Sequence, residues 1–296
     1  LPTQKRALRG ALLVLWSFAA TALTFVLGGA PLRLLRKSVS ESTFWLVCFG
    51  IVGLTWGIGF VALAAAFLTN VLLIGIFTFL EEKKFSIFDA GISAITLVGS
   101  VSFVLLYFWA KDKMGSDIQT VLIDGMQIVL SSTEKFWGAQ KLTLKPEDLV
   151  SQIPGIWLIV SSLSIVCAVL IEPASVRATV RKERLSDFKL PDYFIWFFIG
   201  SLLATFGKIG APEIENIGTN ILNVSAFLYF LQGLAVLGRY FLVFRVSTFW
   251  RVIWVLLFVV QMPMLLGIIG IVDYWVDFRK MMSKRAAQVK KNRTQE

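Results

Sequence analysis

The sequence predicts an all-α protein, a polytopic transmembrane helix bundle of about eight spans with short amphipathic helices between spans four and five. Three observations lead there. Of the 296 residues, 56% are apolar and only 16% charged, against about 25% charged in soluble domains, and the mean hydropathy is +0.74. The charged residues gather in short segments between apolar runs. Several of those runs reach the roughly 20 residues that a helix needs to cross about 30 Å of hydrocarbon.

Read in order as one integral membrane domain over 1–296, the chain opens with Lys5, Arg6 and Arg9 and a first span at 10–32, then Arg33, Arg36 and Lys37. That run is long and lacks a clear small-residue cleavage site, which argues against a cleavable signal peptide. From Thr43 to Leu80 no charge occurs over 38 residues. This suffices for two short spans, 43–58 and 60–80, with a turn between Thr55 and Gly59. Gly53 and Gly57 have the spacing of a close helix contact, although a turn glycine is the simpler account. After Glu81 to Lys84 a fourth span covers 90–110. On it Asp89, Ser93, Thr96 and Ser100 form a narrow polar stripe expected to face protein or a cavity, either as interhelical hydrogen bonding or as a ligand-facing wall.

Residues 111–155 are the long polar interval. Ile118, Val121, Leu122, Met126 and Val129 fit one face of an amphipathic helix, and Pro146 with Glu147 and Asp148 marks the start of another, both read as surface helices. A fifth span runs over 156–171, where Ser161 and Ser164 share a face, and Glu172 with Pro173 ends it. A basic connector with Arg177, Arg181, Lys182, Arg184 and Lys189 leads into FKLPDYFIW. There Pro191 opens a sixth span, 193–207, anchored at the interface by Tyr193 and Trp196. The seventh span is 220–238. The eighth, 250–272, contains Gln261 and Pro263 and is expected to kink near mid-membrane. DYWVDFRK and a basic tail, 279–296, close the chain.

The seventh span is the most informative stretch. Gly218, Ser225, Gln232 and Arg239 are seven apart, which places them in one stripe along one helix face. Asn220 and Asn223 lie on another side, so this helix is expected to meet neighbours on at least two faces.

The chemistry is narrowed by what is missing. There is no histidine, which removes imidazole acid–base catalysis, Ser-His-Asp and Cys-His pairs and most zinc sites. No nucleotide-binding loop is present, so active transport would draw on a partner or an ion gradient. Cys48 and Cys167 lie far apart in apolar runs without CxxC spacing, giving neither a disulfide framework nor a metal site; no cofactor is expected. The charge of +10, confined to short loops, fits a lipid bilayer with anionic headgroups and not a nucleic-acid partner. Every Asp and Glu falls in a loop or at a span edge, which disfavours an ion-coupled carrier, with Asp89 the nearest exception. No nucleophile is paired with a base, so no enzyme is expected. Asp273, Asp277 and Arg279 read as an interfacial ion pair at the end of the last span. Orientation is weakly marked: alternating eight spans from a cytoplasmic amino terminus divides the 29 Lys and Arg into sixteen inside and thirteen outside.

The combination of FKLPDYFIW, NILNVSAFLYFLQGLAVLG and a last span closing in GIIGIVDYWVDFRK resembles the YybS-like bacterial inner-membrane proteins, a family of unknown function. The likeness is best over Phe188 to Lys280 and holds in the first half for span layout. More distantly, the small-residue-rich spans are similar to the substrate-binding membrane subunits of energy-coupling-factor vitamin transporters and to the rod-shape protein MreD. Transporter subunits of that kind carry an early AxxxA contact, which Ala7-x-x-x-Ala11 and Ala62-x-x-x-Ala66 match in letter, while the long 111–155 interval departs from them. The resemblance implies a multi-pass protein of the bacterial cytoplasmic membrane that binds a small molecule or docks a partner.

Two functions follow. The first is a non-catalytic transport subunit binding a small molecule between helices, with Ser93, Thr96, Ser100, Asn220, Asn223, Ser225 and Gln232 lining the site and an ATP-hydrolysing module or other protein acting in trans. The second is a structural or assembly scaffold for a cell-envelope or division complex, in which the same groups only join helices.

Overall fold

The computed structural model describes residues 2–114, 117–137, 145–171, 186, 188–207, 211–282 and 284. Among these it is all-helical, and where the sequence reads as one membrane domain the packing gathers into two compact units, Leu1–Val180 and Arg181–Glu296.

The first unit holds α1 (Pro2–Leu23), α2 (Phe25–Ser38), α3 (Glu41–Gly57), α4 (Val61–Glu82), α5 (Ile87–Trp109), a π turn (Ala110–Met114), α6 (Ile118–Trp137), α7 (Pro146–Ser151) and α8 (Ile153–Leu170). The apolar run 10–32, expected as one span, is instead a helical hairpin. Thr24 turns to an extended conformation, and its hydroxyl accepts a hydrogen bond from the Leu27 N–H at 3.4 Å as the N-cap of α2. The two helices then run back along each other: Ser17 Oγ donates to the Gly28 carbonyl at 3.1 Å, and Gly10 lies against Leu35 and Val39. Glycine makes this approach possible, since a Cβ at Gly28 would lie 2.0 Å from Thr21 Oγ1.

The returning helix α2 runs parallel to α4, with Phe25 beside Asn70 and Arg33 beside Phe77 and Glu81. It also runs parallel to α8, where Phe25 meets Trp157 at 6.1 Å between ring centroids and Gly29 meets Ser164. Thr24 is therefore level with Asn70, which at 1.5 Å per residue lies about 14 Å from the start of α4 and about 18 Å from its end. The hairpin tip reaches the mid-height of the bundle. Around it pack Leu32, Phe44, Phe67, Val71, Ile74 and Phe77, all fully buried.

The run 43–80 divides as expected, with Gly59 at φ +96° in the turn between α3 and α4. Gly53 and Gly57 face open space, so their spacing makes no helix contact; the close approach is at Gly75, where a Cβ would lie 2.4 Å from the Trp45 ring. Helix α5 starts on a cap in which Ser86 Oγ accepts from the Asp89 N–H at 3.0 Å and donates to the Asp89 carboxylate at 2.7 Å. Its buried face is Ala90, Gly91, Ala94, Ile95 and Val98. The short helix α7 buries none of its residues.

The second unit contains α9 (Phe194–Phe206), α10 (Pro212–Val243), α11 (Thr248–Gln261) and α12 (Pro263–Val276). Helix α10 extends well beyond the expected 220–238 and meets α9 at Gly218, where a Cβ would lie 2.7 Å from Ala204 Cβ. The eighth span, expected as one kinked helix, is two helices of 14 residues each, bent by 100° at Met262. Each is about 21 Å long and falls short of a 30 Å hydrocarbon core. Proline at 263 fits the first turn of α12, where its missing N–H is not needed.

The expected count of about eight spans is thus not confirmed. Among the described residues four helices, α4, α5 with its extension to Asp112, α8 and α10, are long and apolar enough to cross a bilayer, and five if the bent pair counts as one. Substitution should separate the glycines that bring helices together from those that do not. Gly28→Val should lower the thermal unfolding temperature in detergent sharply, because the hairpin must open, whereas Gly53→Ala should leave it unchanged or raise it, with a gain of up to about 1 kcal/mol.

Candidate functional site

The densest polar cluster of the second unit centres on Gln232, which is 1% exposed. Helices α10 and α12 cross there in near backbone contact: a Cβ at Gly233 would lie 1.9 Å from the Leu266 carbonyl oxygen, and one at Gly270 equally close to that of Tyr229. Only glycine permits that crossing, and it brings the neighbouring polar groups together. Gln232 Nε2 donates to the Gly270 carbonyl and to Asp273 Oδ2, each at 3.1 Å, while its Oε1 accepts from the Leu190 N–H at 3.0 Å. Asp273, fully buried, takes Arg279 Nη2 at 2.6 Å and the Phe278 N–H at 3.0 Å. Arg279 Nη1 donates in turn to the Phe188 carbonyl. The cluster ties residues 188–190, α10 and the end of α12 into one unit, with the amide of Gln232 fully engaged.

Asp277 has a separate task. It takes a left-handed conformation (φ 48°) as the C-cap of α12, and its Oδ1 accepts from the Lys280 N–H at 3.3 Å. The ion pair of the sequence trio is Asp273 with Arg279.

Of the stripe on α10, Gly218, Ser225 and Gln232 are buried and Arg239 half-buried. The Ser225 hydroxyl has no hydrogen-bond partner among the described residues. Asn220 is half-buried, with Nδ2 donating to the Asn216 carbonyl of its own helix at 2.9 Å, and Asn223 is exposed. Ser93, Thr96 and Ser100 occupy the exposed side of α5, because the small residues Ala90, Gly91 and Ala94 take the packed side. The residues proposed from sequence to share a wall are therefore divided between two units: in the first none is buried, and in the second only Ser225 and Gln232 are.

The first unit holds a second cluster that the sequence reading passed over. Asn70, fully buried in α4, donates through Nδ2 to the Phe25 carbonyl at 2.7 Å and to Thr21 Oγ1 at 3.4 Å, and its Oδ1 accepts from Ser164 Oγ at 3.2 Å. One turn before Ser164, the hydroxyl of Ser161 is fully buried without a partner among the described residues. Asn70 is the lone amide in a charge-free run, and in hydrocarbon such a group must find a partner; that signal was available. Nearer the hairpin's open end, Arg33 is fully buried, bonded to Glu81 at 2.8 Å and placed 5.2 Å from the centroid of the Phe77 ring. Arg36 pairs with Glu41 and Glu82, each at 3.3 Å. The flank of the hairpin forms an apolar groove of about 500 Å³ lined by Leu13, Trp16, Ala20, Leu27, Pro31 and Ile171.

Residues 8–274 match the family described as Predicted membrane protein (DUF2232), in agreement with the YybS-like resemblance. No curated protein and no solved structure matches the chain.

The Asp273 cluster makes a double-mutant test. Asp273→Ala should cost about 3–5 kcal/mol by leaving Arg279 without its carboxylate. Asp273→Ala combined with Arg279→Met should recover part of that loss in reversible unfolding in mixed micelles. Simple additivity of the two changes would show that the pair is not coupled.

Proposed function

Because the chain belongs to DUF2232, a family of predicted membrane proteins, we propose that it is a membrane-embedded binding subunit without catalytic chemistry of its own. It holds a small, mostly apolar molecule beside the α1–α2 hairpin and serves transport together with a partner. The observation that carries this reading is the groove on the hairpin's flank. Its volume of about 500 Å³ lies within the usual range for small-molecule sites of roughly 300–1,000 Å³. Its lining is apolar, and Leu23 and Leu27 at one end flank the exposed Thr24. A guest reaching the groove sideways from the lipid would bury its hydrocarbon against Trp16 and Pro31 and set one polar group at the Thr24 hydroxyl. Helix α10, expected from sequence to carry part of the site, offers less, because the Gln232 amide is already engaged on both atoms.

A scaffold role is the second reading, and α11 favours it. That helix buries none of its residues and presents Phe249, Trp250, Trp254 and Leu256 outward, a surface that another membrane helix could cover.

The two readings separate in native mass spectrometry of the purified protein. A bound apolar small molecule should be retained, and Ala19→Phe, which fills the groove from an exposed position, should weaken retention at least about tenfold. Retention of bulk phospholipid alone, unchanged by Ala19→Phe, together with a stably associated protein subunit, would overturn the binding reading in favour of the scaffold.

A further inference from the structure

We propose that the α1–α2 hairpin is re-entrant, entering and leaving the bilayer on one face, and that this face rests on anionic phospholipid headgroups. The geometry is set by α4, one of the four helices able to span. The hairpin tip lies level with Asn70 at the mid-height of α4, while its open end, where Gly10 meets Leu35 and Val39, lies toward Glu81 and Glu82. Residues N-terminal to Gly10 and residues 36–40 therefore emerge on the same side of the membrane as the end of α4. Helix α8 also ends there, since Ile171 shares the groove with Leu34. The α3–α4 turn and the end of α5 lie on the opposite face, because α5 runs antiparallel to α8, with Gly99 against Trp157 and Gly91 against Ile165.

This geometry changes the charge count. If 10–32 crossed the bilayer, the amino-terminal trio Lys5, Arg6 and Arg9 would oppose the trio Arg33, Arg36 and Lys37. In the hairpin they add, and with Lys83 and Lys84 the open-end face carries eight Lys and Arg. Among the described residues the opposite face of this unit has none at the α3–α4 turn and four between 111 and 145, namely Lys111, Lys113, Lys135 and Lys145. An asymmetry of that size marks the cytoplasmic side, whose leaflet carries anionic lipid. Arg33, Arg36 and Lys37 are matched by Glu41, Glu81 and Glu82. Lys83 and Lys84 are exposed, with Lys83 Nζ 5.6 Å from the Phe79 ring centroid at the edge of the bundle. They are the cations best placed to reach phosphate headgroups.

The test uses the full chain in membranes. In a background of Cys48→Ala and Cys167→Ala, single cysteines at Ser40, Lys83 and Ile58, all exposed, are probed with a membrane-impermeant maleimide alongside an amino-terminal epitope. Ser40→Cys, Lys83→Cys and the epitope should all be reached only in inverted vesicles, and Ile58→Cys only in intact spheroplasts. Finding the epitope and Ser40→Cys on opposite faces would overturn the hairpin. In nanodiscs mixing phosphatidylglycerol and phosphatidylcholine, phosphatidylglycerol should be enriched around the protein. Lys83→Gln and Lys84→Gln should each weaken its retention about fivefold. Equal retention of both lipids, or labelling of Lys83→Cys in intact spheroplasts, would overturn the anionic-face assignment.

Discussion

A helix that breaks inside hydrocarbon leaves amides and carbonyls that only the protein itself can satisfy, and the architecture of the first unit depends on how this is met at Thr24. The Thr24 N–H bonds the Ala20 carbonyl at 2.8 Å, closing α1, and the Thr24 hydroxyl caps the first turn of α2. Asn70 supplies the Phe25 carbonyl with a side-chain donor from a different helix, and Ser17 does the same for Gly28. Ser17 belongs to the hairpin's own first arm and Asn70 to α4 packed against it, so the turn and its surroundings specify one another. Without Asn70, itself bonded by Ser164, the tip of the hairpin would lose its side-chain hydrogen bonds to α4, and Arg33 with Glu81 would join the two only near the open end. Without the hairpin, Asn70 and Ser164 would sit in an apolar layer with only each other.

The buried charges have a comparable role at the helix ends. Arg33 with Glu81 and Asp273 with Arg279 are each taken out of water, and such pairs add little net stability over apolar residues of similar shape, while removal of one partner is costly. What they do fix is register. Arg33 reaches Glu81 only when α2 lies along α4 with the offset that also sets Phe25 at Asn70. Asp273 reaches both Gln232 and Arg279 only when Gly233 and Gly270 allow the two backbones to touch. In both units a small residue permits the approach and a polar group beside it makes that approach specific.

Much of this was legible in the sequence, and the failures share a cause. Helix positions followed from apolar run length and from punctuation, as at Gly59 and Pro146. The seven-residue spacing of Gly218, Ser225 and Gln232 correctly marked an inward face. Run length, however, does not report direction. The residues 10–32 have the same composition whether they cross the membrane or fold back at Thr24, and the clue lay in the small pair Gly28 and Gly29 opposite Ser17 and Thr21. The same holds at Met262, where a proline at the first turn of a new helix looks in sequence like a kink within an old one. On α5, the hydroxyl stripe and the small-residue stripe compete for the packed side. Ala90, Gly91 and Ala94 win because close backbone approach gains more dispersion contact than a few hydroxyls gain in hydrogen bonds.

Where the helices break also governs where a guest could be held. An unbroken helix such as α10 satisfies its own backbone, and its one inward amide is consumed by Leu190, Gly270 and Asp273. On the same stripe the buried Ser225 hydroxyl has no hydrogen-bond partner among the described residues. A hairpin differs, because two short helices packed side by side cannot fill the flank that a full-length helix would occupy. Beside α1 and α2 that deficit becomes the groove between Trp16, Leu27 and Pro31. Proline at 31 forms part of its wall, and the tip places the Thr24 hydroxyl at mid-depth, where hydrocarbon offers no competing partner. The break in the first span thus produces both the buried polar layer that holds the bundle and the open apolar surface next to it, and the two have a single structural origin.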